Sequence, residues 1–168
     1  EGIERAWRDP ALSGAMRTAI RLKCALDAET PALLPGELIA FTRTIPNLPE
    51  QFSEAEWAEI RARHAIHERG NVSNLSPDYG RVIAEGLLAI RARLSDCDEH
   101  AAMRISIDAV LDLTARYAFF AREAGETALA DALEHVPAQP ARSFREALQS
   151  LRILHFAMWA EGDYHNTL

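Results

Sequence analysis

The run Ile153-Leu-His-Phe-Ala-Met-Trp-Ala160 constrains this chain more than any other stretch, because only His155 in it is not apolar. A helix that is hydrophobic on every side has to be covered on every side. The helix carrying it is predicted to begin at Ser143, behind the proline-bounded linker Pro137-Ala-Gln-Pro140. Ser143 and Glu146 have the spacing of a capping box, in which the hydroxyl takes the amide of Glu146 and the carboxylate reaches back to Ser143. Phe144, Ala147, Leu148, Leu151, Leu154 and Met158 recur at helical spacing and predict its apolar face. Gly162 offers a stop, and Asp163-Tyr-His-Asn-Thr167 then leaves as a polar run. A buried helix feeding a polar segment belongs in the interior of something larger, so the chain reads as a fragment.

Upstream, periodicity again predicts helices. Asp9-Pro10 reads as an N-cap followed by proline at the first helical position, opening a helix to about Glu29 with Leu12, Ala15, Met16, Ala19, Ile20 and Leu26 on one face. Pro31, Pro35, Pro46 and Pro49 forbid a continuing helix in the next twenty residues or so. Between them the β-branched and aromatic residues of 37–44 predict one short strand. Ser53 and Glu56 form a second capping box, and a helix is expected from there to about Glu68, with Trp57 and Ile60 inward and Gly70 as its stop. Ser76-Pro77 predicts another start, and a helix to about Leu94 that tolerates Gly80 and Gly86, a sign of close packing. The longest helix is expected over Asp98 to Ala124. Arg104, Asp108, Asp112 and Arg116 make a charged stripe on it whose outer pairs can form surface ion pairs. Met103, Ile107, Val110, Leu111, Tyr117, Phe119 and Phe120 wrap so much of the rest that it should be sandwiched between layers. A short helix over Thr127 to His135 follows. The fold class is therefore all-α, with one short strand at 37–44, in a single partial domain spanning 1–168.

Charge and composition narrow the function classes. A net charge of -7 with 18 dispersed Lys and Arg argues against nucleic acid as a partner. No apolar run approaches the ~20 residues of a membrane span. Cys24 and Cys97 lie in helical patterns and read as reduced thiols, not as a disulfide framework.

The candidate chemistry is sparse. His64 and His67, with Glu68, could share a metal, but no supporting third ligand accompanies them, and a solvated helix end is the plainer reading. Cys97-Asp-Glu-His100 has a Cys-x-x-His spacing but fits better as the first turn of a helix, with Asp98 and Glu99 complementing its dipole. Cys24, beside Lys23, fits a buried small hydrophobe better than a nucleophile. No catalytic residue and no metal site is assigned in this chain. Tyr164 and His165 remain as candidate substrate-binding residues, since a tyrosine and a histidine just past a buried helix end can line a cavity and orient a polar molecule. The opposing reading leaves His165 exposed and the Tyr164 hydroxyl in water.

Several blocks in order carry a resemblance: Pro35-Gly-Glu-Leu-Ile-Ala40, Ser76-Pro-Asp-Tyr79, Glu85-Gly-Leu87, His135-Val-Pro-Ala-Gln-Pro140, Ser143-Phe-Arg-Glu-Ala-Leu-Gln149 and Trp159-Ala-Glu-Gly162. Together they resemble the N-terminal part of the pyruvate formate-lyase domain of glycyl radical enzymes, on the dehydratase and lyase side of the family. The loop from Gly70 to Ser76 and the run Asp163-Tyr-His-Asn166 depart from the usual pattern. The resemblance implies the outer helical layer of a ten-stranded α/β barrel in a cytoplasmic enzyme of anaerobic metabolism. It implies a glycyl radical and a catalytic cysteine loop beyond Leu168, with no cofactor in this chain. The full-length parent would take a small polar substrate, cleaving a C–C, C–O or C–N bond, and a radical-SAM activating enzyme as partner, with a homodimer allowed for. By position Tyr164 matches a pocket residue of that family. The competing function class is a free-standing helical interaction module. An exposed Ile153–Ala160 end would favour the fragment, and a covered one the module.

Overall fold

The computed structural model describes residues 2–42, 52–64 and 77–161. Eight helices occupy them: α1 (Gly2–Arg8), α2 (Gly14–Ala28), α3 (Glu54–Arg63), α4 (Tyr79–Glu85), α5 (Leu87–Ala92), α6 (Asp98–Glu123), α7 (Thr127–His135) and α8 (Phe144–Glu161). The all-α class holds, and α6 and α7 form where periodicity predicts them.

Helix α6 is the axis of the molecule. Helix α2 packs along it, α7 folds back onto it after the turn at Gly125, and α5 and α8 touch it from other sides. The main core gathers Leu26 of α2, Leu113, Tyr117 and Ala121 of α6, Leu129 and Leu133 of α7, and Ile153 and Phe156 of α8. A second cluster joins Trp7 of α1 to Phe52 and Ile60, with Trp57 packed against it. Phe52 stacks edge-on between the two tryptophans, at ring separations of 6.2 Å and 5.0 Å.

Several boundaries differ from the sequence expectation. Asp9-Pro10 does not start a helix. The Asp9 carboxylate accepts from the amide of Ala11 at 2.9 Å, closing a turn between α1 and α2, and Ser13 caps α2 by accepting from Met16. The helix at Ser53 has its full reciprocal capping box, but it ends at Arg63, where His64 takes a left-handed conformation. The expected continuation to Glu68 and the stop at Gly70 lie outside the described residues. The start at Ser76 also lies outside them. In the described part Asp78 caps the next helix, accepting from Arg81.

That helix does not run unbroken to Leu94. It divides at Gly86, whose φ of +79° is left-handed and whose absent side chain leaves room for the chain at Ala138 and Gln139. A Cβ there would stand 2.6 Å from the Ala138 carbonyl oxygen. The linker before α8 uses the break. The amides of Leu87 and Leu88 donate to the carbonyls of Pro137 and Ala138 at 2.8 Å and 3.1 Å, and Ala141 donates to Ile83 at 2.9 Å. Glycine here marks close packing, as expected, but the packing interrupts the helix.

The strand expected at 37–44 does not form over its described part, 37–42, which has no strand partner among the described residues. Side chains take the place of a partner strand. Gln149 of α8 accepts from the amide of Ala40 at 2.8 Å and donates to its carbonyl at 3.3 Å. The Glu37 carboxylate accepts from the amides of Leu34 and Thr42.

The charged stripe of α6 is also spent differently. Arg104 donates to the carbonyls of Leu94 and Ser95, Asp108 takes a two-pronged bond from Arg91 of α5, and Arg116 donates to the carbonyls of Leu26 and Glu29 at the end of α2. Arg104, Asp108 and Arg116 thus each secure a neighbouring element instead of a helical neighbour. Arg116 supplies what the last carbonyls of α2 lack within their own helix.

Candidate functional site

The end of α8 is the natural place to look for a site, since Tyr164 and His165 follow it in sequence. Both lie outside the described residues, as does the pair His67 and Glu68. What the structure describes is the helix that leads there and the walls beside it.

Helix α8 is set by its N-terminal turn. Ser143 Oγ accepts from the amide of Glu146 at 3.2 Å, which is half of the expected capping box. The Glu146 carboxylate turns instead to Arg142, taking its amide at 2.6 Å and its guanidinium at 2.6 Å. The Arg142 guanidinium therefore holds the Glu146 carboxyl below the ordinary carboxylate range. The buried face is rotated from the predicted one. Gln149, Ser150, Ile153, Phe156 and Ala157 point inward, whereas Phe144 is 80% exposed and Leu148 stands partly in solvent. The polar Gln149 is tolerated at zero exposure because both ends of its amide are bonded to Ala40.

Further along, the run Ile153–Ala160 is largely covered by this chain itself: Ile153, His155, Phe156, Ala157 and Ala160 are buried and Leu154, Met158 and Trp159 half-buried. By the exposure criterion this favours a self-contained module. His155 accepts at Nε2 from the indole of Trp159 at 2.9 Å. Since indole nitrogen only donates, that bond requires an unprotonated Nε2.

Two recesses open between the helices, one of them beside α8. One, of about 290 Å³, is lined by Leu22, Pro77, Leu87, Ile107, Leu154 and Met158. The other, of about 400 Å³, lies between α6 and α7 under Phe119 and Leu133, with Arg122 at its edge. Both are apolar, and neither brings together an acid, a base and a nucleophile. Arg122 is engaged by Asp131 and Glu134 at 2.8 Å and 2.6 Å.

The remaining sequence candidates stay apart. Cys24 is half-buried, and burial pushes its thiol up, away from the thiolate a nucleophile needs. Cys97 stands at the start of α6, with Asp98 and Glu99 in the first turn as expected, and the His100 ring bonds Ser95. His64 is exposed at the end of α3. No cluster of three or more metal-ligating side chains occurs among the described residues.

Reading for motifs missed two polar contacts between distant elements, one joining α6 to the end of α2 and one joining α8 to the 33–42 segment. Tyr117 donates to the Glu29 carboxylate at 3.0 Å, and Arg152 donates to the carbonyls of Phe41 and Thr42. The available signal was weak: Gln149, Ile153, Phe156 and Ala160 share one helical face, but a glutamine there does not announce its partner.

A helical layer organised around one long central helix defines the class to which comparison can be made. The pyruvate formate lyase-like family model matches residues 42–167, three quarters of the chain, and the protein belongs to that family. Among solved structures it is similar to one concerned with 1,2-propanediol dehydration in Roseburia inulinivorans, at 19% identity and a TM-score of 0.69, covering 96% of this chain and 31% of that one. It is similar to the B12-independent glycerol dehydratase of Clostridium butyricum, at 17% identity and a TM-score of 0.70, covering 95% and 31%. A glycyl radical enzyme from Archaeoglobus fulgidus matches at 15% identity and a TM-score of 0.66, covering 95% and 32%. The chain thus spans about a third of the length of these structures. A search of curated proteins finds no match. No helix among the described residues is long and apolar enough to cross a membrane.

Proposed function

We propose that this chain is the N-terminal helical layer of a glycyl radical lyase or dehydratase, acting on a small polar metabolite and inactive by itself. The observation that carries this reading is the family match over 42–167, combined with a fold that accounts for only 31% of the glycerol dehydratase. The parent would be cytoplasmic and anaerobic. Its glycyl radical and catalytic cysteine loop would belong to the remainder of a ten-stranded barrel, and a radical-SAM enzyme would install the radical. Formate acetyltransferase-like chemistry on a C–C bond is the variant of the same mechanism. In this assignment Tyr164 and His165 contact substrate: a phenol and an imidazole can each donate or accept a hydrogen bond to a hydroxyl or carbonyl.

The test is to read the source frame past Leu168. Continuation into a Gly-Arg-Phe-Asp-like sequence, a cysteine loop and a C-terminal glycyl motif supports the proposal. In that longer enzyme, Tyr164→Phe should raise KM for the substrate. A frame that stops at Leu168 overturns the catalytic reading.

The second reading, a free-standing helical module, is favoured by one observation: Ile153–Ala160 is mostly covered within the chain itself. The fragment is preferred over it because the family match extends over three quarters of the chain. A monomeric, cooperatively folding 168-residue chain that captures a specific protein partner would favour the module.

A further inference from the structure

The segment 33–42 lies in neither helix nor strand, yet it crosses α8 and closes over the main core. Among the described residues its hydrogen bonds to the rest of the molecule come from three side chains of α8. Arg145 donates to the carbonyl of Leu38 at 2.9 Å, Gln149 brackets Ala40, and Arg152 donates to the carbonyls of Phe41 and Thr42. Positions 145, 149 and 152 follow the i, i+4, i+7 rhythm of one helix face, so a single helix holds the whole segment.

Only Ala40 and Phe41 of this segment are fully buried, while Leu34 and Leu38 are 54% and 72% exposed. Phe41 is the key in the lock. Its ring lies 4.1 Å from that of Tyr117 and 4.9 Å from that of Phe156, centroid to centroid. Its φ of +66° lies in the left-handed region that a bulky side chain disfavours. Burial of the ring and the three α8 side chains hold it there, and release would relax it.

We propose that residues 33–42 form a detachable strap, which opens from α8 as one unit and withdraws Phe41 from between Tyr117 and Phe156 while the helices stay closed. Opening removes few buried groups and no helical bonds, the conditions under which a segment opens below the free energy of global unfolding. The strap grips α8, the helix that leads in sequence to Tyr164 and His165. Its bearing on substrate rests on the role proposed for those residues, but its opening does not.

Hydrogen exchange on the 168-residue chain at low denaturant tests the proposal without any activity measurement. The amide of Ala40, which donates to Gln149, should exchange through an opening of lower free energy than that of Val110 to Tyr117 in α6. A value equal to that of α6 would overturn the proposal. Because the segment leaves as one unit, loosening its far end should release its middle: Arg145→Ala, whose side chain bonds only Leu38 of the strap, should accelerate exchange at Ala40 by about tenfold, with α6 unchanged. No change at Ala40 in Arg145→Ala, or equal acceleration in α6, would show that there is no strap unit.

Discussion

At the residue scale, the buried polar groups matter most, and two of them, Glu29 and Gln149, are bonded across elements distant in sequence. Tyr117 and Glu29 meet with neither side chain exposed. Removing the hydroxyl leaves a buried carboxylate oxygen without that donor, which costs about 1–3 kcal/mol. Tyr117→Phe should therefore lower stability by about that amount in urea unfolding. The Arg142–Glu146 bond makes a different prediction. Bonding to Arg142 lowers the Glu146 carboxyl in the folded chain from its ordinary value of 4.5. Its stabilisation is present above that value and is lost as pH falls through the lowered folded value. Thermal melts between pH 7 and pH 3 should fall more steeply at the acid end for the unsubstituted chain than for Glu146→Gln.

At the scale of elements, the break between α4 and α5 shows how one glycine arranges three segments. Gly86→Ala would combine a left-handed backbone with a Cβ 2.6 Å from the Ala138 carbonyl oxygen. A loss of about 2 kcal/mol or more is expected, since backbone incompatibility adds to overpacking. Gly125, also left-handed but with open space at the Cβ position, should lose less on the same change. Equal losses in chemical denaturation would show that backbone conformation alone governs both sites. The caps follow the same logic of supply: Ser13, Ser53 and Asp78 each give their helix an acceptor for a first-turn amide.

At the scale of the whole molecule, the distribution of apolar surface is uneven. Met103, Phe119 and Phe120 of α6 are 51%, 69% and 41% exposed, although the composition of that helix predicts cover on nearly every side. Helices α2 and α7 cover part of α6, and the three positions stand on different sides of what they leave open. Because Phe119 gives up little area to the core, Phe119→Ser should leave the stability of the 168-residue chain within about 0.5 kcal/mol. A loss of several kcal/mol in denaturant titration would mean that Phe119 is covered in solution by another copy.

The sequence by itself determined the helical class, the span of α6 and α7, the reciprocal cap at Ser53 and the family resemblance that the family match bears out. These depend on local periodicity, on short-range donors and acceptors, or on blocks of residues in order. It did not determine which face of α8 is inward, where the helix after Asp78 divides, or that 37–42 is held by side chains in place of a strand. Those features depend on partners far away in the chain: Gln149 on Ala40, Gly86 on the backbone at Ala138, Arg116 on the end of α2. Only the tertiary structure decided them, because a buried polar group or a close backbone approach is stable only with its partner present, and nothing local in the sequence names that partner.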